Sequence, residues 1–566
     1  MDELIYEPLE YYEKVAKQSH KDNISEHLDR LTNASGIDVE ANRSTVAKYD
    51  KKLKHIEQLN KRRTLYVALR VLMIILCVLS VIFVIVGINN GIGFVIAGVV
   101  LFTTAMLVIF LKLNKLLKNL TGILEKENEE KDALLREAYA QMSAMNRSFS
   151  DTDALRIIEK TMPGISFERS FDEGSEKLMT EHFDLNTYNN QDMTVTDTVS
   201  GVFNKNPFLF ERRRVHTMGA EIYHGYKTIS WRETYRDSDG KTRTRTRTQT
   251  LHASVTKPKP VYSYDTVLNY GSDAAPDLTF SRQGRHIEKK NEKQLKRLIR
   301  KEEKEIKTRE KKQLTSAGGS FTAMNNTEFE ALFNVDDRDN EVQFRVLFTP
   351  LAQTNLVELL KSHVSYGDDF DFYKVGKNNL LRSDHAQNWI INADTSNYVS
   401  HSYDLTVKKF TDFNVEYFKS LYFDLAPLLS IPVYQDEPSE LEGERKIEHL
   451  FSTRECEVLA NAIGPQRLSH PDTVTDTIYK AYTTDIQNGL ADVCIEALSY
   501  VSEDRLDLIP VLGGDGRIHP VPVPWKEYIP LRREEHIKMR RIIDSDDMTA
   551  NEASVISKNG ILAYLD

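Results

Sequence analysis

Three hydrophobic patterns follow one another along this chain. From Val71 to Leu111 no residue is charged. One bilayer crossing takes about 20 apolar residues, so the run predicts two spans, Val71–Ile88 and Gly93–Leu111, joined by the polar turn Asn89-Asn90-Gly91. Lipid offers no partners for backbone N–H and C=O, so both spans are predicted as helices. Upstream, Leu4, Ile5, Leu9, Tyr12 and Val15, then Ile24, Leu28 and Leu31, recur three or four apart. That spacing predicts helices over residues 1–65, broken at Asn33-Ala34-Ser35-Gly36. A second helix is expected from about Ser44 into the first span. Downstream, Leu113, Leu116, Leu117, Leu120 and Leu124, then Leu134, Ala138 and Met142, carry the stripe on. A helix from Gly93 to Asn146 would be about 80 Å long. It reads as a stalk over 113–150 with the start of a coiled-coil repeat.

After Ser150 the period becomes two. Strands are predicted at Met193–Phe203, Phe208–Thr217, Glu221–Tyr235, Lys241–Ser254 and Val261–Leu268. Lys241–Thr250 alternates Thr with basic residues and cannot be an amphipathic helix. A two-residue Asp239-Gly240 turn would set Arg236 against Arg243 and Arg232 against Arg247, like charges face to face. A three-residue loop with left-handed Gly240 shifts the register by one. It pairs Asp237 with Lys241, Tyr235 with Arg243, Glu233 with Arg245 and Trp231 with Arg247. This second register is the expected one, with two Arg side chains beside aromatic rings. Residues 285–314 then read as an inserted basic helix, with 13 Lys or Arg and 6 Asp or Glu from Arg285 to Lys312.

Further on, Val342, Phe344, Val346 and Phe348 alternate as a predicted strand face. Thr349-Pro350 reads as the cap and first position of a helix, Leu351–Lys361. Residues 378–436 mix predicted strands (Trp389–Ile391, Tyr403–Val407) with a helix, Val415–Leu429. Gln435–Gly443 is read as a linker. Beyond it, helices are expected at Glu444–Ile463 and Val474–Asn488. Strands are expected at Ala491–Ser502, Arg505–Leu512, Arg517–Val523 and Trp525–Pro530. Pro520, Pro522 and Pro524 alternate, which suits an edge strand. The fold class is therefore α+β: a two-helix transmembrane hairpin with a long helical stalk, a β-rich, mostly antiparallel cytoplasmic domain and a smaller α+β C-terminal domain. The expected domains are 1–65, 66–112, 113–150, 151–435 and 436–566.

The stretch Phe329–Pro350, with its F-E-x-x-F-x-V start, acidic turn and closing T-P, resembles bacterial membrane proteins grouped as domain of unknown function 3137. Met162-Pro163-Gly164, Asp197–Gly201 and the hairpin Ala220–Ala253 are similar too, and the likeness covers residues 60–380. The long basic helix and the chain beyond residue 435 depart from the family pattern. The resemblance implies a two-span anchor ahead of a soluble domain, in a bacterial inner (plasma) membrane. It implies no activity, because the family has none established.

Charge changes the picture at two points. Lys51, Lys52, Lys54, Lys61, Arg62, Arg63 and Arg70 precede the spans and Lys112, Lys115 and Lys118 follow, while the turn has no basic residue. Both termini are expected in the cytoplasm. The net charge of −10 argues against nucleic acid as a partner. Three cysteines make no disulfide framework or zinc cluster by spacing. No phosphate loop, H-E-x-x-H or G-x-S-x-G motif occurs. Asp336, Asp337, Asp339 and Glu341 lack the spacing of a calcium loop. Asp384-His385, Arg454-Glu455-Cys456 and the turn Gly513–Gly516 read as structural. No catalytic, cofactor or metal residues are predicted. The candidate contact to an anionic partner is Lys241, Arg243, Arg245, Arg247 and Trp231. The expected function is a membrane-anchored binding or scaffold protein, its partners the bilayer through 71–111 and a protein or anionic headgroups. Two alternatives stand beside it: a two-span effector or pore component that oligomerises through small residues of the second span, and an enzyme with an unrecognised site.

Overall fold

The computed structural model describes residues 4–541 and 555–564, except 91, 186–189, 237, 316–322, 336, 388–390, 392, 437–450, 488–489 and 559–560. It mixes helices with antiparallel sheet and divides into two compact units. One comprises residues 21–153 and 394–416; the other comprises 1–20, 154–393 and 417–566.

The first unit is built on two long helical runs. Helix Val39–Asn90 begins five residues ahead of the expected Ser44 and runs without a break into the apolar stretch. Its partner starts at Ile92, passes through one π-helical segment at Val108–Leu113, and continues to Ser148. The predicted turn lies partly outside the described residues. Both runs are long and apolar enough to cross a membrane. Side chains such as Ile85 and Leu107 are 60% and 61% exposed, as a lipid-facing surface requires. The runs pack on each other within the chain. Cys77, Ala105 and Ile109 form one apolar cluster, and Ile56, Leu59, Leu120 and Leu124 another. A Cβ at Gly98 would sit 2.9 Å from the Ser80 carbonyl oxygen, so only glycine permits that approach. Lys52 reaches Glu127 at 2.8 Å and Glu130 at 2.7 Å. The stalk thus finds its partner in the N-terminal helix of the same chain.

The second unit holds two antiparallel sheets. The larger has strand order β1-β2-β3-β4-β7-β6-β5, with β1 Ile165–Phe167, β2 Met193–Phe203, β3 Asn206–Arg236, β4 Thr242–Gly271, β5 Thr279–Arg282, β6 Phe370–Val375 and β7 Asn378–Ser383. The smaller has order β11-β12-β10-β9-β8, with β8 Ile478–Gln487, β9 Leu490–Leu512, β10 Ile518–Arg541, β11 Val555–Lys558 and β12 Ile561–Tyr564. Helix Thr453–Ile463, started by a Ser452/Glu455 capping box, packs Leu459 and Ile463 onto Val493, Ile495, Ile537 and Met539.

Several expected elements are corrected. The helix predicted at Val474–Asn488 gives way to strand β8, where Tyr479 and Ala481 are buried in the core and Tyr482 is exposed. The strand predicted through Val342–Phe348 is helix Glu341–Leu347, capped by Asn340. Phe344, Leu347 and Phe348 are buried at helical spacing, whereas Val342 and Val346 face out. Helical and strand periods both fit that short run, and tertiary packing chose the helix. Tyr403–Val407 opens the helix Tyr403–Leu429 rather than forming a strand. Thr349 caps its helix with Pro350 in the first turn, as expected. The basic segment forms a short 3-10 turn, Ile287–Lys289, and then helix Glu292–Thr315. The predicted Trp389–Ile391 strand and the start of the Glu444–Ile463 helix lie largely outside the described residues.

Candidate contact surface on a double ribbon

Two hairpins extend far beyond the sheets that root them. β3 and β4 pair from Phe208↔Tyr270 to Arg236↔Thr242, yet β2 accompanies β3 only to Val215 and β7 covers β4 only at Leu268–Gly271. At about 3.3 Å per residue, the overhang from Val215 to Arg236 is about 70 Å long. β9 and β10 do the same, since β8 reaches only Leu498 and β12 only Lys538–Arg541. The sequence reading broke each of these four strands in two. Isolated two-stranded ribbons are marginal in water. These two support each other face to face: Ile229, Leu251 and Ala253 pack against Val521 and Val523, flanked by Tyr223, Trp231, Val255, Ile509 and Val511. A Cβ at Gly225 would stand 2.1 Å from the Pro522 carbonyl oxygen, so this crossing requires glycine. Lys257 sits 4.0 Å over the Trp525 ring and pairs with Asp507 at 2.8 Å.

The end of the first ribbon carries the predicted contact residues. The register is the expected one, with Trp231 opposite Arg247, Glu233 opposite Arg245 and Tyr235 opposite Arg243. Gly240 is left-handed at φ 75°. The Asp237–Lys241 pairing lies outside the described residues. Glu233 binds Arg245 at 2.8 Å and Arg247 at 2.5 Å, and the Arg245 hydrogen bond leads in holding its carboxyl below the usual range. The Arg245 guanidinium lies over the Tyr235 ring at 5.0 Å. Trp231 turns its ring toward Gly514 of the second ribbon, so it is half-buried packing rather than open surface.

The second ribbon shows what the sequence reading missed. On its outer face Leu506, Leu508, Pro510 and Leu512 stand opposite Pro524, Pro522, Pro520 and Ile518. Leu506, Leu508, Leu512 and Ile518 are 60–69% exposed. This is an eight-residue apolar ladder in water, closed at its base by Asp504 opposite Lys526. Contiguous exposed apolar surface of this kind marks a contact site. Proline explains the geometry. Pro520 faces Pro510, and neither can donate, so the ladder occupies the non-hydrogen-bonded pairs, where side chains stand closest. The prolines of β10 also remove outward donors along its free side, which discourages strand addition. The ladder is thus open through its face and closed along that edge.

Other charged groups serve the frame. Glu211 is fully buried among Arg213, Arg454 and Asn269. Burial opposes its ionisation, but the two guanidinium groups prevail and hold its pKa at about 2. Arg454 also binds Glu176, and Glu455 binds Arg541 at 3.0 Å. Glu457 pairs with Lys480 at 2.6 Å and accepts from the Val195 N–H at 2.8 Å, yet burial pushes its pKa up to about 7. Asp384-His385 gains partners that sequence could not identify. His385 meets Asp369 at 2.6 Å and Asp424 at 3.4 Å, with the Tyr366 ring stacked at 3.8 Å. Burial drives the Asp424 pKa up to about 6. Asp337 and Asp339 accept from the Ser281 and Thr279 N–H groups at 2.7 Å each, which makes the acidic turn a clamp on β5. In the basic segment, Arg285 binds Glu302 at 2.8 Å, and Ile287 and Ile306 are buried.

No family model, curated protein or solved structure matches this chain.

Proposed function

We propose that this chain is a membrane-anchored binding protein whose double ribbon contacts an anionic lipid surface. The two long apolar helices form the anchor. The Lys and Arg on both sides of them, with none in the turn, favour cytoplasmic placement of both flanks. The observation that carries the reading is the exposed Leu/Pro ladder at the end of the second ribbon. Apolar side chains favour the acyl boundary, and Arg243, Arg245 and Arg247 beside the same end suit acidic headgroups. A tether in the bilayer raises the effective concentration of lipid around the arm, so a weak contact suffices. The resemblance to the two-span bacterial family agrees with such an anchor. Of the small residues of the second span that would permit oligomer packing, Gly98 and Ala105 pack inside the chain, while Gly93 and Ala97 are exposed.

The test attaches an environment-sensitive fluorophore at Leu508→Cys in the full chain, reconstituted into vesicles. The native cysteines are buried and label poorly. In phosphatidylserine vesicles the emission shifts to the blue and is quenched by a bilayer-embedded quencher. Phosphatidylcholine alone gives a smaller response. Emission identical in both lipids and in detergent would overturn the lipid reading, and a shift produced only by an added protein would assign the ladder to a protein partner. For the anchor, a cysteine at Asn90 reacts with an impermeant thiol reagent on intact cells and one at Lys241 does not; the reverse would overturn the topology.

A further inference from the structure

Away from the ribbon ends, three metal-ligating side chains converge on the smaller sheet. Cys494 on β9 is the direct cross-strand partner of His536 on β10, and Tyr482 on β8 is its partner on the other side. Glu534 lies two residues from His536 and so shares its face. The thiol sulfur, a Glu534 carboxylate oxygen and a ring nitrogen of His536 lie within 4.8 Å of one another. The opposite face of these strands is the apolar core with Val493, Ile495 and Ile537. The trio therefore stands on a rigid base, open to solvent through His536 and Glu534, with Cys494 only 1% exposed at its floor.

Polar contacts already link the trio. Cys494 donates to Glu534 Oε1 at 3.5 Å, so thiol and carboxylate face each other. Glu496 on the same face gives its charge to Arg532 at 2.6 Å, while Glu534 faces the thiol. Asp492 Oδ1 stands 3.3 Å from His536 Nδ1, a contact that a metal on Nε2 would leave in place. A ligating histidine held by a carboxylate through its other nitrogen is the usual support of a metal site.

We propose that Cys494, Glu534 and His536 form a three-ligand site for a borderline-soft divalent cation, zinc by preference, with Asp492 orienting the histidine and water in the fourth position. One sulfur, one nitrogen and one oxygen exclude magnesium and calcium, which take oxygen alone. Tetrahedral zinc, with bonds of about 2.0–2.3 Å, sets its ligand atoms about 3.5 Å apart. Small rotations of the two exposed side chains close that gap. Binding displaces the thiol proton, so affinity rises with pH. The site is independent of the lipid reading and would brace the smaller sheet where its β9/β10 ribbon begins.

The probe is Co2+ alone, added to the full chain in detergent with a non-chelating reductant. A near-ultraviolet sulfur-to-cobalt band and the visible bands of four-coordinate cobalt saturate at one ion per chain, and Zn2+ removes both. Cys494→Ser abolishes the ultraviolet band. His536→Gln and Glu534→Gln, both surface changes, each weaken binding by about tenfold or more, and Asp492→Asn weakens it by about tenfold. Absence of the sulfur band in the wild-type chain would overturn the site. So would a band that survives Cys494→Ser, since Cys77 or Cys456 would then hold the metal, or one indifferent to both surface variants.

Discussion

The first ribbon, β3 with β4, and the second, β9 with β10, leave their sheets in the same way and stack through odd-numbered side chains. Their ends differ. The first ends in alternating Thr and Arg, where Glu233 pairs with Arg245 and Arg247 and the Arg245 guanidinium also lies over Tyr235. The second ends in Leu, Ile and Pro, with nothing in the chain covering them among the described residues. The end of one ribbon therefore pairs charge within itself, and the end of the other leaves an apolar face for a contact. The difference teaches that period-two alternation identifies a strand without saying which face is used. The informative signal is apolar residues at both parities: Ile509 and Val511 face the first ribbon while Leu508 and Leu512 face out.

The strongest way to break the comparison is at the shared root. Arg454 binds Glu211 of β3 from the helix that packs on the second ribbon's sheet. Arg454→Met leaves a buried carboxylate short of a partner and should cost about 3–5 kcal/mol. Hydrogen exchange should then rise at the roots of both ribbons together. Faster exchange confined to one would show that they are held separately. Gly225→Val acts further out. Its side chain collides with the Pro522 carbonyl and Val523. Overpacking of this kind costs about 1–3 kcal/mol and should loosen Ile229 and Val523 while sparing the roots.

A pH dependence sharpens the root contrast. Glu457 links β2 to β8 through Val195 and Lys480, with its pKa raised to about 7. A carboxyl whose folded pKa lies above its unfolded value stabilises the fold below the unfolded value, near 4.5, and loses that contribution as pH rises through about 7. Glu211, held at about 2, behaves oppositely: its contribution is present above about 4.5 and lost as pH falls toward 2. Between pH 5 and 8, thermal stability of the full chain in detergent should fall through Glu457 while Glu211 contributes no slope. Glu457→Gln should flatten that slope, and an unchanged slope would remove Glu457 from the account.

Much of this was legible in the residues. The chargeless run predicted both long helices, and like-charge avoidance at Arg236/Arg243 selected the hairpin register found. Thr349-Pro350 announced its helix start. The misses have physical causes. Val342–Phe348 fits either period when only four apolar residues are counted. Residues 474–488 contain Thr, Tyr and Ile at strand spacing, but a final Gly suggested a helix stop. The ladder was visible as strands and edge prolines, yet its exposure depends on which ribbon covers which face. Cys494 and His536 are 42 positions apart in the chain. Only the β9/β10 register makes them neighbours. His385 with Asp369 and Asp424 likewise needed the fold.

The smallest effect concerns whether the first ribbon's charge is spent internally. Glu233 is 38% exposed and its two Arg partners 47%, so solvent screens the pairs and their loss should leave thermal stability unchanged. Lipid contact responds differently. Glu233→Gln releases Arg245 and Arg247 from their carboxylate, raising the positive charge offered at the ribbon end. With the fluorophore at Leu508→Cys, this variant should respond at a lower phosphatidylserine content than the parent. Arg243, Arg245 and Arg247 changed together to Gln should need more, and added salt should reduce the difference between the two variants. Equal responses from all three proteins would mean that the first ribbon is electrostatically silent at the membrane. The Leu/Pro ladder would then carry the contact alone.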